Sequence, residues 1–160
     1  MSDVLRVADI DEAALRGLLA AYGLRVEMLP DGADIPGSYW GAPEAGLIGN
    51  CLYLRPDTPV HSALHEGGHW ICMDDARRQS VHTDAKGSVM EECAVNYLQI
   101  LLAEALPDVG RERMLDDMTA WGYSYREGNV RNWLKGDGLD ARDWLVARGL
   151  LAANGERRII

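Results

Sequence analysis

The chain has 160 residues, 48 % hydrophobic and 26 % charged, a balance that suits a folded soluble protein and a length that can bury a core without staples. A formal net charge of −9 repels phosphate backbones and anionic lipid surfaces, so neither nucleic acid nor a membrane is expected as a direct partner. Cys51, Cys72 and Cys93 form no CxxC pair and read as reduced thiols. The N-terminal run MSDVLRVADIDE lacks a signal-peptide core, and no stretch approaches the ~18 apolar residues of a membrane span. These features predict one cytoplasmic domain over residues 1–160.

Ile10, Ala14, Leu15, Leu18, Leu19 and Tyr22 recur at helical spacing and predict a helix from about Asp9 to Tyr22, capped by Asp9 or Asp11 and stopped by Gly23. Residues 25–29 alternate and run into the turn signature Pro30-Asp31-Gly32, as a strand does. A Gly- and Pro-rich stretch follows, from Asp31 to Gly46, with Tyr39 and Trp40 inside it. The runs Gly46–Gly49 and Cys51–Arg55 flank Gly49-Asn50 and predict a hairpin, which makes a sheet of about three strands. At Pro56-Asp57-Thr58-Pro59 the chain turns; Asp57 or Thr58 suits an N-cap and Pro59 the first helical position, so a helix is predicted to run on to about Met73.

Residues 74–87 are polar, contain His82 and read as a loop, and a second strong helix is predicted from Val89 to Leu106, before Pro107. Three shorter helices are expected near 111–121, 128–135 and 139–151. There Arg131-Asn132-Trp133-Leu134 resembles Arg142-Asp143-Trp144-Leu145, read as tryptophans that pack two helices onto the core. The fold class expected is α+β.

Chemistry is concentrated at His65-Glu66-Gly67-Gly68-His69, an H-E-x-x-H sequence inside a predicted helix. Residues four apart on a helix lie one turn on and about 40° round, so His65 and His69 can share one metal ion. Zinc takes nitrogen ligands at about 2.0–2.1 Å and, in catalytic sites, three protein ligands. Glu66, one residue from His65, projects beside the metal, where a base must stand to take a proton from the water that the metal acidifies. Gly67 and Gly68 together weaken a helix by ~2 kcal/mol relative to alanine, which suggests a neighbouring backbone or ligand coming close. His61 lies a further turn back. Three histidines over two turns span about 12 Å, too far to share one ion, so His61 is read as a packed or solvated residue with an outer role open.

The third ligand has three candidates. Asp75 stands six residues after His69, but Cys72 occupies the position where a metzincin needs its turning glycine. Glu91 and Glu92 open the second helix. Its apolar face runs through Met90, Ala94, Tyr97, Leu98, Leu101 and Ala105. Glu91 falls about 60° from the centre of that face, while Glu92 falls on the far side with Gln99. Glu91 is therefore favoured, although Ser88-x-x-Glu91 also reads as a capping box.

The HEGGH helix followed by EECAVNYLQILL resembles the ImmA/IrrE family of bacterial zincin-like metallopeptidases, in which a second helix reads E-x-x-A-x-x-[FY]-A-x-x-L-L. Glu91, Ala94, Tyr97, Leu101 and Leu102 match that pattern, and the resemblance covers roughly residues 46–107. It implies a zincin-like fold, zinc on His65, His69 and Glu91, a catalytic Glu66, and intracellular protein substrates such as transcriptional regulators. Val95 stands where the family has Asn or Asp, and Gly67-Gly68 where it has leucine.

The function expected is a cytoplasmic zinc-dependent peptidase acting on a peptide or protein substrate. The strand Cys51–Arg55 is expected to hold that substrate by strand addition, and His82, Tyr123 and Tyr125 are candidate donors to its oxyanion. The competing reading is a binding module on the same scaffold that keeps its metal for structure. Cys72, three residues from His69, would close such a site.

Overall fold

In a computed structural model the protein is described over residues 4–38, 41–74, 77–78, 88–123, 125 and 128–157. The chain is α+β. A 3-10 turn at Val7–Asp9 leads to helix α1, Glu12–Ala20, whose N-cap is Asp11, the side chain accepting from the Ala13 amide at 3.0 Å. Gly23, at φ 87°, ends this region as the sequence predicts.

Three strands follow: β1 at Arg25–Met28, β2 at Gly46–Ile48 and β3 at Cys51–Leu54. β2 and β3 form the antiparallel hairpin across Gly49-Asn50, and β1 joins β3 in parallel, in the order β1-β3-β2. β3 is thus the central strand, paired on both sides, and cannot add a substrate strand. A Cβ on Gly46 would lie 2.0 Å from the Pro36 carbonyl oxygen and 2.6 Å from the Ser38 amide nitrogen, so the 36–38 backbone runs against it and only glycine fits.

Helix α2, Val60–Cys72, starts one residue later than the sequence suggests, with Pro59 as an extended N-cap that offers no side-chain acceptor. Thr58 is occupied elsewhere, its hydroxyl accepting from the Arg55 amide at 2.9 Å to close the turn out of β3. Helix α3, Val89–Glu104, is capped by Ser88, whose hydroxyl accepts from the Glu91 amide at 3.1 Å. Helices α4 (Gly110–Trp121), α5 (Val130–Lys135) and α6 (Gly138–Ala147) complete the described chain, near the predicted positions. Trp133 is buried in the core, and Trp144 packs on it partly covered, which agrees with the packing role given to both.

α2 and α3 lie against each other at the centre of a core that continues from Val7 to Leu151. The glycine pair explains how close they come. A Cβ on Gly68 would sit 3.0 Å from Val95 Cγ1 and 3.7 Å from the Val95 carbonyl oxygen, and one on Gly67 would sit 3.2 Å from Leu19 Cδ2. The neighbouring backbone expected at this pair is therefore α3 on one side, with the Leu19 side chain of α1 on the other. Val95, found where an amide or carboxylate side chain was expected from the family pattern, is fully buried and fills this contact. No helix among the described residues is long and apolar enough to cross a membrane.

Candidate metal centre

Because α2 and α3 pack at Gly68 and Val95, the residues one turn away on either side of Val95 face the histidines of α2. His69 Nε2 lies 3.1 Å from Glu92 Oε2, and His65 Nε2 lies 3.5 Å from Glu92 Oε1. Ligand atoms on a tetrahedral ion with bonds near 2.0–2.1 Å stand about 3.3 Å apart, so these separations suit one metal between the three side chains. Their ligand atoms all fall within 4.8 Å of one another, and among the described residues this is the group of acidic, histidine and cysteine side chains that could hold a metal ion.

His65 is braced from behind by a hydrogen bond, and His69 has a carboxylate behind it. His65 Nδ1 is 3.1 Å from Gln99 Oε1. His69 Nδ1 faces Glu91 Oε1 at 3.6 Å, an ion-pair approach beyond hydrogen-bond distance that leaves both buried atoms without a hydrogen-bond partner, while the other oxygen of Glu91 pairs with Arg77. Metal-binding histidines are held in this way, with one nitrogen on the ion and the other on a carboxylate or amide oxygen. Both Nε2 atoms are thereby aimed at Glu92.

Glu91, the favoured third ligand of the sequence reading, thus does not join the cluster; Glu92 does. The reason is that α3 is apolar almost all round, so the centre of its apolar stripe does not mark the face toward α2. Val95, Gln99 and Leu102 are fully buried on the side read as outward, whereas Met90 and Ala105 on the supposed core face are exposed. Measured from Val95, Glu91 stands about 40° to one side, and Glu92 and Gln99 about 60° and 40° to the other. Glu91 reaches the back of His69 from its flank, and Glu92 reaches the front of both rings. The capping box is half made: Ser88 caps the Glu91 amide, but the Glu91 side chain turns to His69 and Arg77. Asp75 and His82 lie outside the described residues.

The electrostatics follow from burial and these carboxylates. Burial alone would lower the pKa of His69, but Glu91 and Glu92 outweigh it and raise it to about 9. Glu92 is also desolvated, yet His65 and His69 hold its carboxylate well below the usual range. Glu66 moves the other way. Burial, reinforced by Glu92 and Glu44 and opposed by the two histidines, pushes its carboxyl up. Burial drives the Cys72 thiol up to about 12, the opposite of what a metal-bound thiolate requires, and Cys72 is not in the cluster.

The chain matches no protein-family model, no curated protein and no solved structure.

Of the cluster, His65 lines a cavity of about 710 Å³, together with Glu66. Its floor is His61, Ser62, His65 and Glu66 of α2; one wall is residues 41–45 and the other Trp121, Gly122 and Tyr123. Ser62 Oγ accepts from the Ala45 amide at 3.0 Å and ties the first wall to the floor. The second wall forms where Gly122, at φ 101°, ends α4 and turns Tyr123 back, its amide donating to the Met118 carbonyl at 3.0 Å. His61 is packed, as expected, with Trp121 4.8 Å away between ring centroids and Tyr123 at its edge. Tyr125 stacks on Trp133 at 4.7 Å and does not line the cavity. Sequence reading passed over Gln99, a fully buried amide in an otherwise apolar run. A polar residue at such a position must have a partner, and that was the available signal.

Proposed function

We propose that the protein is a zinc-dependent peptidase, with His65, His69 and Glu92 as the metal ligands and Glu66 as the general base. The observation that carries this reading is the convergence of two histidines and one carboxylate beside a cavity that His65 and Glu66 both line. Two nitrogens and one oxygen are the ligand set of a catalytic zinc site, which keeps a fourth position for water or substrate. The donor set fits: Glu92 is held as a carboxylate, and no thiolate competes for the ion.

Zinc, when bound, supplies a Lewis acid that polarises a carbonyl and acidifies water. Glu66 takes the proton as the water oxygen bonds to the scissile carbon, and returns it to the amide nitrogen as the C–N bond breaks. A buried carboxyl with a raised pKa suits both halves of that task. Gln99 holds the His65 imidazole in place, and Glu91 puts a carboxylate behind His69. A cytoplasmic peptide or protein substrate, such as a transcriptional regulator, is the partner that the resemblance to ImmA/IrrE metallopeptidases supports.

The test is hydrolysis of a mixed peptide library by the zinc-loaded protein and by Glu66→Gln. The amide keeps the shape of the side chain but accepts no proton at neutral pH. Cleavage by the parent, at least ~10²-fold slower in the variant at equal zinc content, is expected. Equal rates remove Glu66 from the mechanism, and a parent that binds peptides without cleaving them supports the binding-module reading.

A further inference from the structure

Two carboxylates line the cavity, Glu66 on its floor and Glu44 on the wall of residues 41–45, and no lysine or arginine among the described residues lines it. Glu66 has the histidines of α2 beside it. Glu44 is half-buried, and among the described residues its carboxylate makes no hydrogen bond or ion pair. Its oxygens are not among the buried atoms that lack a partner, so the carboxylate stays open to an incoming group. Its charge acts across the cavity. Burial raises the Tyr123 phenol on the opposite wall and the Glu66 carboxyl on the floor, and Glu44 adds to both rises. A carboxylate felt by the floor and by the far wall lies on the cavity side of its own wall. The backbone that carries it is tied down, with the Glu44 amide donating to the Gly41 carbonyl at 3.1 Å and the Ala45 amide to Ser62 Oγ at 3.0 Å. On the opposite wall Trp121, large and apolar, keeps 39 % of its surface exposed. Arg6 stands over that ring, 5.7 Å from its centroid, but it does not line the cavity, and its guanidinium donates to the Asp57 carbonyl at 3.1 Å.

We propose that Glu44 is a specificity-determining residue, selecting a substrate with a lysine or arginine side chain beside the scissile bond, the charged head on the Glu44 carboxylate and the stem along Trp121. The proposal rests on the cavity being the substrate site of the zinc peptidase proposed above. A carboxylate that has lost part of its hydration and has no counter-charge is relieved by a ligand that brings a cation. Lysine and arginine join an apolar stem to a charged head, which suits a pocket with an indole on one wall and a carboxylate on the other. Peptidases use a carboxylate in the substrate pocket in this way to select basic residues. An apolar side chain in the same place would leave Glu44 unpaired, and an acidic one would meet like charge. The net charge of −9 adds attraction for a basic peptide during encounter.

The experiment uses the full chain, zinc-loaded, and blocked hexapeptides of alanine and glycine that differ at one central residue: lysine, arginine, norleucine or glutamate. Affinities are read by titration at low salt in the Glu66→Gln background, which slows turnover, and cleavage by the parent is read as kcat/KM. The lysine and arginine peptides should bind at least about tenfold more tightly than the norleucine peptide, as for a hydrogen bond to a charged group, and the glutamate peptide most weakly. Salt should narrow the gap. Adding Glu44→Gln should make the lysine and norleucine peptides bind equally, and Glu44→Lys should turn the preference to the glutamate peptide. Equal binding of the lysine and norleucine peptides where Glu44 is present, no binding of any peptide, or a lysine preference that survives Glu44→Gln overturns the proposal. Lysine-selective binding without cleavage by the parent contradicts the peptidase reading and leaves Glu44 as the selecting residue, whereas cleavage indifferent to a basic residue contradicts the proposal alone. If the chain takes up no zinc the metal reading fails, and the same binding comparison is made on the metal-free protein.

Discussion

Glu91 and Glu92 are neighbours of the same type, and the structure gives them different work. Glu92 spans the front of both imidazoles, 3.1 Å and 3.5 Å from the two Nε2 atoms, while Glu91 stands behind His69 and is held by Arg77. Glu92→Ala should therefore remove one of three ligands and abolish tight zinc binding. Glu91→Ala leaves the ligand set complete but frees His69 to rotate, and should weaken zinc by about 10–100-fold, the usual cost of losing an outer partner. Isothermal titration of both variants checks this ordering, and tight binding in Glu92→Ala with loss in Glu91→Ala would reverse it. The motif made His65, Glu66 and His69 legible because their spacing alone puts them together. Nothing comparable separated the glutamates, since Glu91 and Glu92 flank the same buried residue, Val95.

At the scale of elements, the site depends on how closely α2 approaches α3. Gly68 sets that distance, because Val95 is a β-branched residue inside a helix and its Cγ1 has little freedom to move. An added methyl at Gly68 gains about 1 kcal/mol of helix propensity and costs about 1–3 kcal/mol in overpacking. Gly67 faces the end of the Leu19 side chain, which can give way. Gly67→Ala should thus be about 1 kcal/mol more stable than Gly68→Ala in chemical denaturation, and only Gly68→Ala should also lower zinc affinity. Equal behaviour of the two would show that the helix spacing is not set here. Element positions were largely readable: the hairpin at Gly49-Asn50, the Ser88 cap, the cap at Asp11 (one of two candidates) and the Gly23 stop are local signals, and each fell within a few residues of its place. Strand order was not. That β3 is central and closed to strand addition depends on a long-range parallel pairing with β1, which no local pattern encodes.

For the whole molecule, the net charge of −9 favours cation uptake, and the protonation of His69 opposes it at neutral pH. His69 is raised from 6.5 to about 9 in the metal-free fold, so it carries a proton that an entering ion must displace. Zinc uptake at pH 7 should release about one proton from this group, and affinity should climb about tenfold per pH unit until pH nears 9, measured by titration in buffers of different ionisation enthalpy. The stability sign follows from the same shift. The folded pKa lies above the unfolded one, so the stabilisation is complete below pH 6.5 and is lost as pH rises toward 9, by up to about 1.4 kcal/mol per unit. Zinc-loaded protein should not show that loss. A flat profile in the metal-free protein would mean that Glu91 and Glu92 do not hold the proton on His69. These couplings, like the Gln99–Tyr123–His61 hydrogen bonds, join residues from α2, α3 and the end of α4, and so become visible only once the elements are packed.

The central claim is that three side chains, His65, His69 and Glu92, hold one ion and leave a position open to the cavity. X-ray absorption at the zinc edge of the purified, loaded protein tests it most directly, read together with the metal content of the same sample. The account predicts one zinc per chain in a shell of two imidazole nitrogens and carboxylate or water oxygens near 2.0–2.1 Å, with no sulfur. A sulfur neighbour near 2.3 Å, or a chain that holds no zinc, would contradict it.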